Sequence, residues 1–293
     1  MHKAGFVNIV GNPNVGKSTL SNLLVGEKLS IITSKAQTTR HRIMGIVNGD
    51  DYQIVFSDTP GVLKPNYKLQ EAMLEYSKEA LTDADVLIYV TDTVEKSDKH
   101  NDFLKSVEKL EIPILLIINK IDLIDQQKLE QLVAFWHDEI PSAEIIPVSA
   151  LHSFNTQSII NRIVELLPEA EPYYDKDTLT DKSERFFVNE IIREKILLYY
   201  KKEIPYSVEV EVEEFKEFAD RVDIRAVIHV ARESQKGIII GHQGVALKKL
   251  GTIARRDIER FLDKKVFLQL FVKVTKDWRD KDRILKQFGY DIK

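Results

Sequence analysis

Apolar residues along this chain follow two different patterns, and the change from one to the other divides it. In the first half they gather in short runs: Phe6-Val7-Asn8-Ile9-Val10, Tyr52-Gln53-Ile54-Val55-Phe56, Val86-Leu87-Ile88-Tyr89-Val90, Pro113-Ile114-Leu115-Leu116-Ile117-Ile118 and Glu144-Ile145-Ile146-Pro147-Val148. Nearly continuous apolar runs of this length mark strands covered on both faces, as in a parallel sheet. Helical stretches separate them, and Leu20, Leu23 and Leu24 recur at helical spacing after the first. The expected fold is α/β, a doubly wound and mostly parallel sheet. Further on the pattern changes. Phe187, Ile191, Ile192, Ile196 and Leu197 have helical spacing, whereas Val208, Val210 and Val212 alternate strictly with Glu209, Glu211 and Glu213. A second alternation (Val222, Ile224, Ala226, Ile228, Val230), a helix with Leu247, Leu250, Ala254, Ile258 and Phe261 on one side, and a closing strand over 266–274 complete the order. This predicts a smaller α+β domain of helix-strand-strand-helix-helix-strand order. Pro168 and Pro172, each beside acids, and a polar stretch after them place the boundary, giving domains 1–172 and 183–293 with a linker at 173–182.

The chemistry of the first domain sits where its strands end, which is where open α/β sheets bind ligands. After the first run comes Gly11-Asn12-Pro13-Asn14-Val15-Gly16-Lys17-Ser18-Thr19, a match to G-x-x-x-x-G-K-[ST] between a strand and a helix. In such a loop the backbone N–H groups wrap the α and β phosphates of a nucleotide and the lysine reaches the β and γ phosphates. The second run ends in Asp58-Thr59-Pro60-Gly61, where Asp58 can hold Mg²⁺ through its water shell and the Gly61 N–H faces the γ phosphate. At the end of the fourth stands Asn119-Lys120-Ile121-Asp122. A guanine edge offers two N–H donors side by side, which one carboxylate accepts; adenine has an acceptor in place of one of them. Asp122 therefore selects GTP over ATP. Ser149 and Ala150, after the last run, are placed to offer backbone N–H groups to guanine O6. Between the first two runs, Lys35-Ala36-Gln37-Thr38-Thr39-Arg40-His41-Arg42 is polar and lacks helical periodicity, as a mobile loop would.

Charge separates the two halves further. Residues 1–182 carry 18 Lys and Arg against 27 Asp and Glu, net −9, and residues 183–293 carry 24 against 19, net +5. The basic excess peaks around Lys236-Gly237-Ile238-Ile239-Ile240-Gly241-His242-Gln243-Gly244 and the helix after it, which carries Lys248, Lys249, Arg255 and Arg256. Glycines at the start of a helix let the backbone approach a sugar-phosphate chain closely, with unpaired bases along the adjoining groove. The row Glu209, Glu211, Glu213 repels phosphate, so that face is expected to point away from RNA. The chain of 293 residues has no cysteine, which excludes disulfides, thiolate metal sites and Cys nucleophiles. With no signal peptide and no apolar run of about 18 residues, the expected location is the cytoplasm. His100, His137, His152, Trp136 and Trp278 are scattered and read as surface or core filling.

The ordered motifs of the first domain resemble the translation-factor-like class of small GTPases. That resemblance implies that Thr39 ligates Mg²⁺ together with Ser18, that 35–42 is the first switch and that 58 to about 68 is the second. Val62 stands where many GTPases carry a water-orienting Gln, so intrinsic hydrolysis is expected to be slow. GTPases with this substitution and an Asn like Asn14 often place K⁺ beside the β and γ phosphates, which implies K⁺ stimulation here. Gly241-x-x-Gly244 in its order of elements looks like a type II KH domain. The whole chain, through residues 11–19, 35–42, 233–241, 272–274 and Trp278-Arg279, resembles the Era GTPases. The resemblance implies a GTP/GDP switch that binds the 3′ end of 16S rRNA and assists maturation of the 30S precursor, sometimes peripherally at the membrane; a monomer with no DNA partner is expected. Ala231 and His242 depart from the acidic residue and the Lys common in that family. A tRNA-modification or other ribosome-associated GTPase would not require the KH signature. An RNA-binding module with an inert GTPase fold would not need Lys17, Ser18, Asp58 and Asp122 together.

Overall fold

The computed structural model describes residues 2–94 and 101–292; His100 lies outside them. The chain forms two compact units and passes from one to the other between Asp181 and Lys182.

The first unit is built on a six-stranded sheet of order β2-β3-β1-β4-β5-β6. Its strands are β1 (Lys3–Gly11), β2 (Ile43–Asn48), β3 (Tyr52–Asp58), β4 (Val86–Asp92), β5 (Ile114–Asn119) and β6 (Glu144–Pro147). All neighbours run parallel except the β2–β3 pair. The helices are α1 (Lys17–Val25), α2 (Lys68–Thr82), α3 (Asn101–Glu108), α4 (Gln126–Glu139) and α5 (Thr156–Leu166). Strand β4 shows why its sequence has no polar alternation. Val86, Ile88 and Val90 join one core cluster with Leu20 of α1 and Ile159 and Ile163 of α5; Leu87 and Tyr89 join another with Ala80 of α2, Val107 of α3 and Trp136 of α4. Helices thus cover both faces, and every strand from β1 to β5 except the edge strand β2 is almost wholly buried.

Strand β2 was not expected, and the stretch expected as a linker is what covers it. Ile46 N–H donates to Leu179 O at 2.8 Å, Thr180 Oγ1 to Met44 O at 2.6 Å, and Met44 N–H to Asp181 Oδ1 at 3.0 Å. Gln53 in β3 accepts from the N–H groups of Tyr173 and Tyr174 and donates to Tyr174 O. Residues 173–181 therefore satisfy an edge that would otherwise expose its hydrogen-bonding groups.

In the second unit β7 (Val208–Glu217), β8 (Arg221–Val230) and β9 (Lys265–Val274) form a three-stranded sheet, antiparallel between β7 and β8 and parallel between β8 and β9. Helices α6 (Glu184–Tyr199), α7 (Glu233–Ile240) and α8 (Val245–Leu262) bury Ile192, Ile196, Ile239, Leu250, Ala254 and Ile258 against Val210, Ile224 and Ile228 of the sheet. The glutamates of β7 are not a uniformly solvated row: Glu213 is exposed, but the first two are covered. Glu209 is buried and accepts from Tyr290 Oη at 2.6 Å, and Glu211 meets His229 and Gln287, because the C-terminal segment with α9 (Asp282–Gln287) folds over them. Trp278, wholly buried, donates its indole N–H to Ser207 O.

Candidate nucleotide and nucleic-acid sites

Strand β1 ends at Gly11, and residues 12–16 wrap back onto the N-terminus of α1. Gly16 has φ 101°, and a Cβ on it would lie 2.2 Å from Asn119 Nδ2, so the loop meets the end of β5 too closely for any side chain. Lys17, 6 % exposed, donates through Nζ to Gly11 O at 3.0 Å and Asn12 O at 2.8 Å. An ammonium held by carbonyls at a helix N-terminus is a cradle for an anion. It faces a cavity of about 370 Å³ lined by Asn14, Ser18, Thr19, Thr39, Gly61 and Lys120, among others. Pro13 also lines it, whereas the Val15 side chain belongs to the core.

Beside the cavity Ser18 Oγ and Thr39 Oγ1 stand 2.8 Å apart, although 21 positions separate them in sequence. Asp58, the last residue of β3, is fully buried, and neither carboxylate oxygen makes a hydrogen bond of good geometry among the described residues. Burial pushes its carboxyl above the ordinary 3.8, against the pull of the Ser30, Ser18 and Thr39 hydroxyls and of Lys17. An unsatisfied buried carboxylate next to two hydroxyls is a set of hard oxygen donors, and it fits Mg²⁺. After it, Thr59 Oγ1 donates to Ile9 O, and Ser77 Oγ donates to Pro60 O. Val62 turns away from the cavity: its side chain packs with Val10 and Leu87 in the core, and its N–H donates to Gly11 O at 3.1 Å.

At the end of β5, Asn119 Nδ2 donates to Val15 O at 2.9 Å while its Oδ1 accepts the Ala150 N–H at 3.0 Å. Lys120, left-handed at φ 63°, reaches Asn14 O at 2.6 Å and Asp92 Oδ2 at 2.6 Å. Ser149 Oγ donates to Asp122 Oδ1 at 2.5 Å, which orients the carboxylate and leaves Oδ2 open towards His152 at 3.9 Å. The backbone donors expected for a purine O6 are committed within the protein here: Ser149 N–H to Phe154 O, Ala150 N–H to Asn119 Oδ1. Sequence reading also passed over Ser30 and Asp92. Asp92 had a signal, since it is a carboxylate closing a parallel strand, as Asp58 is.

In the second unit the turn joining α7 and α8 has Gly241 at φ 70°, Gln243 at φ 48° and Gly244 at φ 78°. A Cβ on Gly241 would lie 2.6 Å from Ala246 Cβ, so only glycine fits between the two helices. His242 and Gln243 are exposed on this turn, and Lys236, Gly237 and Ile238 lie on the last two turns of α7 before it. Ile239, read as part of the RNA surface, is instead fully buried: a helix turns it inward one position after Ile238. Along α8 and β9 runs a groove of about 490 Å³. Leu247, Leu268 and Leu270 give it an apolar floor, Gly251 leaves room, and Lys248 and Arg255 line it with positive charge. Such a groove suits unpaired bases with phosphates at the rim. Lys249 lies instead over the Tyr199 ring, 6.0 Å from its centroid. Phe267, also in the groove and 54 % exposed, was missed; an aromatic left open on a strand is the signal. No helix among the described residues is long and apolar enough to cross a membrane.

Comparison with known proteins adds the following. The family described as "50S ribosome-binding GTPase" matches residues 6–120, and the KH domain family matches residues 203–279. GTPase Era of Clostridium kluyveri is 45 % identical over 292 residues, 99 % of this chain and 100 % of that protein. GTPase Era of Alkaliphilus metalliredigens is 44 % identical over 99 % of each chain. Among solved structures, Era in complex with MgGDPNP and nucleotides 1506-1542 of 16S ribosomal RNA superposes with a TM-score of 0.95 at 38 % identity, covering 100 % of both chains. An Aquifex aeolicus Era variant bound to GDP.AlF4- gives 0.94 at 38 %, over 99 % of this chain and 100 % of that one. Phosphate loop, base-reading quartet and KH turn thus occur together in one chain that matches these relatives from end to end, and the chain belongs to the Era family of GTPases.

Proposed function

We propose that this chain is a GTP-hydrolysing switch that binds the 3′ end of 16S rRNA through its KH unit and assists assembly of the 30S subunit. The observation that carries the reading is the presence, in one chain, of a phosphate-loop cavity lined by Lys17, Thr39 and Lys120 and a groove for unpaired RNA headed by a G-x-x-G turn. The Era structure holding MgGDPNP and 16S rRNA nucleotides supports it.

In this reading Lys17 and the N–H groups of residues 14–19 bind the phosphates of GTP or GDP, and Asp122 accepts the two guanine donors. Ser18 and Thr39, with Asp58 behind them, hold Mg²⁺, which when bound neutralises charge on the β and γ phosphates. Thr39 and Gly61 sense the γ phosphate, because they belong to two separate loops, between α1 and β2 and between β3 and α2, that line the same cavity. With Val62 in the core, no side chain at that position orients the attacking water, so basal hydrolysis is slow. Asn14 contributes to a K⁺ site beside the phosphates, where a cation would add positive charge as the transition state develops. Equal hydrolysis rates in KCl and NaCl at one ionic strength would remove the K⁺ site from this scheme. In the KH unit, residues 236–238 and 241–244, with Lys248, Lys249 and Arg255, contact the RNA backbone while bases occupy the groove.

The test is fluorescence anisotropy of a short RNA from the 16S 3′ end and of its scrambled counterpart, with GDP and with a non-hydrolysable GTP analogue. Tighter binding of the native sequence, strengthened by the analogue, is the expected result. Equal binding of both RNAs in both nucleotide states would leave a GTPase with a generic basic surface.

A further inference from the structure

Besides Gln37 at φ 60°, two residues lining the nucleotide cavity adopt a conformation unusual for a side chain with a Cβ: Asn14 at φ 68° and Lys120 at φ 63°. One ammonium ties them together, since Lys120 Nζ donates to Asn14 O at 2.6 Å. The neighbouring loop carbonyl, Val15 O, is held by the Asn119 amide, a short side chain fixed at its other end by the Ala150 N–H. Lys120 has no such built-in restraint, because a four-carbon stem with three rotatable donors loses much rotamer freedom when held in one place. What restrains it is Asp92. That carboxylate, 7 % exposed, lies 2.6 Å from the same Nζ through Oδ2. Its Oδ1 accepts the Val94 N–H at 2.9 Å, which fixes the rotamer of the carboxylate itself.

We propose that Asp92 is a positioning residue for guanine-nucleotide binding: through Lys120 it holds the Asn14 carbonyl, and so keeps the phosphate loop and the N-K-x-D turn in fixed relation. The proposal rests on reading the cavity as the nucleotide site. Its physical basis is that a counter-charge inside the protein selects one of many lysine rotamers before any ligand arrives. The loop then has less freedom to lose on binding. Asp92 itself does not line the cavity. Its loss should therefore affect GDP and GTP alike and show mainly in dissociation.

The experiment is stopped-flow dissociation of a fluorescent GDP from the full chain, with Asp92→Asn compared in two backgrounds. Asparagine keeps the shape and an acceptor for Val94 but removes the charge that faces Lys120. Dissociation is expected to quicken about tenfold in the otherwise unaltered protein, the scale of one charge-assisted hydrogen bond. In a Lys120→Met background the same substitution should change the rate by less than about twofold, because the group it acts through is gone. A merely structural role would instead make the two effects add and lower the unfolding temperature equally in both backgrounds. Additive effects, or an unchanged rate in the first background, overturn the proposal. If Asp92→Asn does not fold, Asp92→Ser carries the same comparison. The underlying reading fails separately: an Asp122→Asn variant that still prefers GDP to XDP would refute the base assignment without touching the Asp92 cycle.

Discussion

Asp122 and His229 show how much a single ionisable side chain owes to what surrounds it. Asp122 is partly open, and Ser149 holds one of its oxygens at 2.5 Å. Substituting Asn keeps that hydroxyl contact but places a donor where guanine also donates, and suits xanthine, which accepts there. Asp122→Asn is expected to weaken GTP binding by at least about a hundredfold and to make XTP the tighter ligand, as competition for a fluorescent nucleotide would show. Unchanged GTP affinity would sink the argument for base recognition. His229 is buried, with Nδ1 at 2.8 Å from Thr275 Oγ1 and Nε2 at 3.1 Å from Glu211 Oε2. One neutral tautomer satisfies both contacts: Nε2–H donates to Glu211, and Nδ1 accepts from the threonine hydroxyl. Burial, helped by Lys273, depresses its pKa below the ordinary 6.5 despite Glu211 and Glu209 nearby. In the unfolded chain the ring takes up a proton at a higher pH than in the folded one, so the second unit should lose stability as pH falls below about 6.5. His229→Gln should flatten that part of the profile. Thermal unfolding of both proteins between about pH 7.5 and 5.5 measures it; parallel curves would mean that His229 does not titrate as argued.

At the scale of elements, the sites depend on contacts between segments far apart in sequence. Arg42, just before β2, donates through Nε to Ser57 Oγ at 2.6 Å, through both terminal nitrogens to Asp83, and to Asn8 Oδ1 at 3.1 Å. It thereby joins the end of the loop over 35–42 to β3 beside Asp58, to β1 and to the turn after α2. Its side chain is 12 % exposed but that of Asp83 is 49 % exposed, so most of its worth lies in the buried bonds to Ser57 and Asn8 rather than in the ion pair. Arg42→Ala should cost about 2 kcal/mol and lower the unfolding temperature of the first unit by roughly 6 °C. Asp83→Asn should cost less, and the reverse order would mean that the exposed pair dominates. The same distance in sequence decides what could be read in advance. Buried parallel strands were legible because continuous apolar runs such as residues 86–90 have few other uses, and the phosphate-loop and N-K-x-D residues because spacing is their signature. Strand β2 was not, since Ile43-Met44-Gly45-Ile46-Val47 is short, interrupted by glycine, and stabilised by residues more than 130 positions later. The glutamates of β7 were legible as a face but not as a covered one, because Tyr290 and Gln287 reach them from the far end of the chain. Asp92 was legible only as a carboxylate closing a parallel strand, and its role was hidden for the same reason: it depends on Lys120, which follows another strand.

The molecule as a whole separates its charges, net −9 over residues 1–182 and net +5 over residues 183–293. Polyanionic RNA is therefore repelled by one unit and attracted by the other, and the KH groove concentrates the attraction along α8. Each phosphate neutralised on single-stranded RNA releases counterion, so the logarithm of the binding constant falls with the logarithm of salt concentration by about 0.7 per contact. If Lys236, Lys248, Lys249 and Arg255 each meet one phosphate, the slope of the full-length protein is about −2.8. Lys248→Ala and Arg255→Ala should each make it less steep by about 0.7, weakening native and scrambled RNA together, since phosphates carry no sequence. Phe267→Ala tests the other half of the groove. An aromatic ring there stacks a base without touching charge, so its loss should weaken binding by roughly tenfold and leave the slope unchanged. Titrations of the three variants at four salt concentrations distinguish these effects. If the slope stays near about −2.8 in both cation variants, the RNA backbone follows a path that avoids α8, and the groove between α8 and β9 is not where the strand lies.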